Sequence, residues 1–241
     1  MKRFGWICLL TAVMLLLCAA SAEDKLTIGS IVTFGAYPQT KSGTDNTPIE
    51  WQVLDVQEGQ ALLISRYGLD TKPYNTDFAD VTWETCALRD WLNGEFYSRA
   101  FSPAEQGAIA ESAVANGRDQ GYVEWDTDGG SDTQDRIFLL SCAEAHKYFD
   151  AEHYSVQDSG SNLKPRVIPT AYAITQGAHT GSGEKTEDGS AAGWWWLRSP
   201  GIDQSFAAFV SSDGALYFNY VFLASGCVRP AFWLNLDSFN P

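Results

Sequence analysis

The sequence predicts an α+β fold, a mixed and mainly antiparallel sheet carrying a few helices. Three observations predict it. Alternating apolar residues mark a strand meander over 28–65, two helical patterns follow it in a run without alternating with it, and strands return over 194–236.

In the meander, Ser30-Ile31-Val32-Thr33-Phe34-Gly35 is the first strand, and a polar loop over 40–47 leads into Ile49-Glu50-Trp51-Gln52-Val53-Leu54-Asp55. After a turn at Gly59, Ala61-Leu62-Leu63-Ile64-Ser65 completes it. Side chains alternate across a strand, so Ile49, Trp51 and Val53 share one face and Glu50 and Gln52 the other. One side of the sheet is therefore expected to be buried. Residues 82–96 read as a helix capped by Thr82 or Thr85, with Cys86, Leu88, Leu92 and Phe96 at helical spacing around Trp91. A second helix opens at Ser102-Pro103-Ala104-Glu105, with serine at the cap, proline at the first position and an acid in the first turn.

The stretch 116–136 is polar and acidic, Arg136-Ile137-Phe138-Leu139-Leu140-Ser141 reads as a short buried strand, and 143–149 as a helix. From 150 to 192 the composition is loop-rich, with glycine and serine concentrated over 181–193. A segment this long with weak periodicity carries flexibility or a binding loop. The closing strands are the block Trp194-Trp195-Trp196-Leu197-Arg198-Ser199-Pro200-Gly201, then Phe206-Ala207-Ala208-Phe209-Val210, Ala215-Leu216-Tyr217-Phe218 and residues 228–236, with Asp213-Gly214 as a hairpin signal. The chain holds no internal repeat and no glycine-lysine phosphate loop.

The tryptophan block and Gly226-Cys227-Val228-Arg229-Pro230-Ala231-Phe232-Trp233-Leu234 each set aromatics around one arginine and then reach a proline. That is the layout of strand ends braced by an internal cation. Arg198 and Arg229 are accordingly assigned structural roles, each paired with a buried carboxylate or with carbonyls. Alternation points Trp194 and Trp196 one way and Trp195 the other. Core packing is expected of Trp195, Trp196, Trp233, Trp51 and Trp91. Trp194, Tyr122, Trp125 and Tyr220 sit at a segment edge or beside polar loops and are expected to see solvent. They are the candidate ligand contacts, since such rings stack on sugars or anchor protein partners.

Lys2 and Arg3 precede an apolar run over 6–17 and the small residues Ala20-Ser21-Ala22, so residues 1–22 read as a secretory signal peptide. Leu17 before Cys18 does not fit a lipoprotein site. Cleavage after Ala22 leaves one α+β domain over 23–241, expected to be secreted or cell-surface-associated. With no other apolar stretch of spanning length, no transmembrane anchor is expected. The formal charge of −14 becomes −16 as two cations leave, which weighs against nucleic acid as a partner. Three cysteines then remain, Cys86, Cys142 and Cys227, and in an oxidising compartment one disulfide plus one buried thiol is the expectation.

Asp126, Asp128, Asp132 and Asp135 alternate with glycines and other oxygen donors and are the candidate calcium ligands, although no glutamate closes the loop as in a helix-loop-helix site. His146, His153 and His179 are too scattered for zinc. His146 follows Cys142 at helical spacing, which would suit a nucleophile and its base. Ser159-Gly160-Ser161 and Gly181-Ser182-Gly183 lie in loop sequence and do not form a hydrolase elbow. No nucleophile, base and stabiliser can be assembled, so no catalytic residue and no cofactor beyond calcium is expected.

Six ordered motifs resemble one bacterial family, domain of unknown function 6273, whose members are often secreted or fused to surface modules. They are Phe34-Gly35-Ala36-Tyr37-Pro38-Gln39, Pro48-Ile49-Glu50-Trp51-Gln52-Val53-Leu54-Asp55, Leu88-Arg89-Asp90-Trp91-Leu92-Asn93, Phe138-Leu139-Leu140-Ser141, the tryptophan block and Val228-Arg229-Pro230-Ala231. The two C-terminal blocks are also similar to the C-type-lectin-like fold of the formylglycine-generating-enzyme branch. That resemblance implies a C-type-lectin-like core. The copper-binding cysteine pair of those enzymes is not matched, because Cys227 stands alone near the C-terminus. A non-catalytic domain binding an extracellular glycan or protein through the loops over 150–193 is the resulting expectation. A secreted hydrolase or oxidase on the same scaffold and a structural surface module are the alternatives.

Overall fold

Two sheets carry the fold in a computed structural model that describes residues 26–121, 125–152 and 162–239. The first joins β1 (Ile31–Tyr37), β2 (Thr47–Gln57), β3 (Gln60–Ser65) and β13 (Ala231–Asn235), antiparallel throughout, so the chain's last strand closes on its third. The second runs β11 (Leu216–Tyr220), β10 (Phe206–Val210), β9 (Trp195–Pro200), β12 (Cys227–Val228) and β4 (Asp70–Thr71), with only β9 and β12 parallel. Two small ribbons pair β5 (Ser112–Val114) with β6 (Thr133–Asp135), and β7 (Thr180–Lys185) with β8 (Ala191–Gly193). Helix α1 (Ala87–Trp91) continues through a wide turn, Leu92–Phe96, into α2 (Tyr97–Ala100); α3 (Pro103–Ala108), α4 (Cys142–Phe149) and α5 (Ala171–Gln176) follow. The class is α+β.

The alternation in β2 has its expected consequence. Ile49, Trp51 and Val53 are fully buried while Glu50 and Gln52 are half-buried on the opposite face. Trp51 meets Phe232 edge-on at 4.7 Å and donates its indole N–H to the Phe34 carbonyl at 2.7 Å, tying β1, β2 and β13 into one core. Gly35 sits at the bulge in β1 with φ +65°, where a Cβ would lie 2.6 Å from the Phe101 ring. The Ser102–Glu105 and Ser141–Glu144 capping boxes start α3 and α4. Asp213-Gly214 turns β10 into β11, with Gly214 at φ +91°.

Several expectations are corrected. The helix over 82–96 is broken: Trp83–Thr85 forms a separate tight turn, Cys86 is extended, and the helix starts at Ala87 and runs on to Ala100. Arg136 to Ser141 is not a strand beyond a bridge from Phe138 to Ala231. The reason is Asn93, whose Oδ1 accepts the backbone N–H of Arg136 (2.9 Å) and of Ile137 (3.1 Å), while its amide donates to the Ile137 carbonyl. These bonds occupy groups that a ladder would need. The loop-rich stretch contains α5, capped by Thr170 and ended at Gly177, and the β7–β8 ribbon. The expected disulfide is not formed: Cys86, Cys142 and Cys227 are all free and buried. The signal-peptide segment, residues 1–22, lies outside the described residues. Among the described residues no helix is long and apolar enough to cross a membrane.

Candidate ligand pocket

The site is built outward from Ser65, the last residue of β3. Its N–H donates to the Pro230 carbonyl (2.9 Å), its hydroxyl donates to the Tyr67 carbonyl (2.8 Å), and its carbonyl accepts Nε of Arg229 (2.9 Å). The guanidinium of Arg229 then sits in the corner formed by two edge-on rings, 4.9 Å from the centroid of Phe149 and 4.9 Å from that of Trp195. It is 3% exposed, and among the described residues its Nη1 has no hydrogen-bond partner. Among the described residues no carboxylate forms an ion pair with it. Burial pushes its pKa down to about 9, which still leaves it charged at neutral pH. A desolvated cation held by rings and one carbonyl is an arrangement that an anion would complete.

Arg229 lines a cavity of about 340 Å³. Gln52 on the polar face of β2, Arg66 and Tyr67 beyond β3, and Tyr148 and Phe149 at the end of α4 form part of its wall. The strap 163–168 forms another part. It is pinned by the Trp195 indole, which donates to the Pro165 carbonyl (2.8 Å), by Gly193 N–H to Val167 O (2.9 Å) and by Gly68 N–H to Ile168 O (3.0 Å). The turn between β7 and β8 contributes Thr186, Glu187 and Asp188. There Asp188 accepts the Thr186 hydroxyl (2.7 Å) and the Ser190 N–H (2.9 Å), bonds that lower its pKa.

The outer cations are already engaged. Arg66 pairs with Glu50 at 2.6 Å, a hydrogen bond that raises its pKa, and Lys164 pairs with Asp150. Arg166 donates to the carbonyls of Lys185 and Asp213. The described lining offers guanidinium and ammonium donors, carboxylate acceptors, an amide, a hydroxyl and phenol rings, with no cysteine or histidine among them. This set can hold a polar ligand in a defined orientation.

A second cavity, about 470 Å³, has Arg198 in its wall with Glu144, Gln57, Gln60 and Trp233. It is the larger of the two, but its arginine is spoken for. Both guanidinium ends of Arg198 meet the Glu144 carboxylate, and the same group donates to the carbonyls of Leu139 (2.9 Å) and Ala115 (3.0 Å).

The residues singled out from sequence are dispersed. Trp194 is 8% exposed, edge-on to Trp196 (4.7 Å) and Phe209 (4.8 Å), so its expected solvent edge is not present. Gly226 allows this, because a Cβ there would lie 2.5 Å from the Trp194 ring. Tyr122 lies outside the described residues. Trp125 is half-buried edge-on to Phe218 (4.5 Å), and Tyr220, 43% exposed, packs on Phe206 (4.3 Å) beside Phe78 and Phe222. They join one aromatic stripe along β10 and β11, and neither lines the Arg229 cavity. Trp195 and Trp196 are fully buried and donate their indole N–H groups to the carbonyls of Pro165 and Lys72. Sequence reasoning assigned no site role to Gln52, Arg66, Tyr148 or Arg166; Gln52 was marked only as part of the polar face of β2, and the trace of the two arginines was the scarcity of cations in so acidic a chain.

The four aspartates do not converge. Asp126 pairs with Arg118 (2.9 Å), Asp128 accepts the Gly130 N–H, Asp132 accepts the Asn116 N–H, and Asp135 is buried beneath Trp83, Arg89 and Thr133. Among the described residues no group of three or more His, Cys, Asp or Glu side chains could hold a metal ion. Cys142 and His146 do not form a catalytic pair. Burial pushes the Cys142 thiol up to about 12, and the imidazole is exposed beside Glu152 (3.2 Å).

No curated protein and no solved structure matches the chain. The family model described as Domain of unknown function (DUF6273) matches residues 58–236, a span that takes in Arg66, Arg166, Arg198 and Arg229, and the chain belongs to that family.

Proposed function

We propose that the chain is an exported, non-catalytic domain that binds an extracellular glycan in the Arg229 pocket. The observation that carries this reading is the buried guanidinium with an unpartnered Nη1 at a cavity of about 340 Å³. A concave site of this size takes a sugar ring more readily than a flat protein surface. Its mixed donors and acceptors suit hydroxyl groups, and Tyr67 and Tyr148 offer ring faces for stacking. The strap and the β7–β8 turn belong to the loop region 150–193. A C-type-lectin-like core is part of the same proposal, resting on the tryptophan-arginine and glycine-x-arginine strands. Calcium has no part in it, since each of the four aspartates already has its own partner.

A glycan array tests the reading. Wild-type protein should be retained on a defined subset of sugars, and Gln52→Ala should weaken that retention about fivefold or more with an unchanged melting temperature. A flat array at high protein concentration overturns it.

A further inference from the structure

The geometry points to an acidic sugar as the ligand, its carboxylate seated on Arg229 and its hydroxyls on the polar wall; this rests on the glycan reading above. Three observations carry it. First, Arg229 lines the cavity and among the described residues its buried Nη1 has no partner, while Arg66 and Lys164 already hold Glu50 and Asp150. A planar guanidinium packed into the corner of two rings and held at Nε by the Ser65 carbonyl offers a fixed fork, which matches a planar carboxylate.

Second, the other wall carries Glu187 and Asp188. These would oppose a doubly charged phosphate more strongly than a singly charged carboxylate, and they accept hydrogen bonds from hydroxyls. A ligand with one negative end and several hydroxyls satisfies both walls at once; an acidic peptide supplies the charge without the hydroxyls. Third, the chain as a whole carries a formal charge of −14, so an anionic ligand is repelled by most of the surface. An arginine kept unpaired inside such a protein is therefore a local exception in need of an anion.

The test uses the mature protein with oligogalacturonate and its methyl ester, which has the same ring hydroxyls but no charge. Calorimetric titration should show binding of the acid form, with the ester at least tenfold weaker. Arg229→Met should weaken binding of the acid at least tenfold and bring acid and ester to the same affinity. Arg66→Gln, at the exposed rim, should cost about threefold and serves if Arg229→Met does not fold. Equal binding of acid and ester by the wild type overturns the proposal, as does a folded Arg229→Met that binds the acid normally. An acetylated aspartate-rich peptide binding more tightly than the oligouronate also overturns the sugar assignment. If the array retains neutral glycans through Gln52 while uronates do not bind, the acidic-sugar inference falls and the glycan reading stands; if neither binds, both fall.

Discussion

Arg198 and Arg229 are two buried arginines from two similar sequence blocks, 2% and 3% exposed, each ahead of a proline, and they are solvated by the protein in opposite ways. Arg198 projects from β9 toward the start of α4, where Glu144 is held in place because it also accepts the Ser141 N–H of the capping box. The carboxylate is thus oriented before it meets the guanidinium, and the Leu139 and Ala115 carbonyls take further donors. Arg229 projects where β12 gives way to β13, and its neighbours are rings. Phe149 and Trp195 attract a cation without neutralising it. Burial alone therefore does not make an arginine structural; the oriented acid beside it does.

The largest effect should come from Arg198→Met. It removes the cation from Glu144 and leaves the buried Leu139 carbonyl and the partly buried Ala115 carbonyl without these donors, so urea unfolding should show a loss of about 3 kcal/mol. Arg229→Met should lose less than half of that, about 1 kcal/mol. Only the Ser65 carbonyl loses its Arg229 donor, and a thioether packs well against two aromatic rings. Equal losses would erase the distinction between the two arginines. A larger loss at Arg229 would reverse it and make the pocket's arginine a structural post.

How far this was legible in the sequence follows from the range of the interactions involved. The polar face of β2, the Ser102 cap and the Asp213-Gly214 hairpin are local and were read from neighbouring residues. The prolines that follow Arg198 and Arg229 likewise marked strand ends. The missing strand after Arg136 was not legible, because Asn93, more than forty residues away in sequence, takes the backbone groups that the apolar pattern had assigned to a ladder. The alternating aspartates were misleading for the opposite reason: closeness in sequence says nothing of the Arg118, Asn116 and Trp83 partners that separate them. The pocket was the least legible part. It draws on β2, the end of α4, the strap, a ribbon turn and the residue before Pro230, and what holds the strap in place is a set of long-range bonds, from the Trp195 indole to Pro165 and from the Gly193 and Gly68 N–H groups to Val167 and Ile168.

The smallest effect compares the thiols beside the two arginines. Burial pushes both Cys142 and Cys227 up to about 12, against the attraction of Arg198 and Arg229 respectively for a thiolate. A thiol with a raised pKa in the folded state contributes stability that is fully present below its ordinary value, near 9, and is lost as pH rises from there toward 12. At pH 10 each should lower stability by about 1.4 kcal/mol relative to pH 7, one unit's worth of proton binding. Replacing either cysteine by alanine should therefore flatten the decline in urea-measured stability between pH 7 and pH 10 by about that amount. The comparison between the two is the informative part, because Cys227 lies in β12, next in the chain but one to Arg229, with Gly68 and Gly193 packed on it, and Cys142 is the first residue of α4. Equal flattening means that the rings around Arg229 exclude water as fully as the ion pair around Arg198 does. If Cys142→Ala flattens the curve and Cys227→Ala does not, and if Cys227 is alkylated by iodoacetamide in native protein at pH 8, water reaches β12. Arg229 would then be a hydrated cation with no need of a ligand's carboxylate.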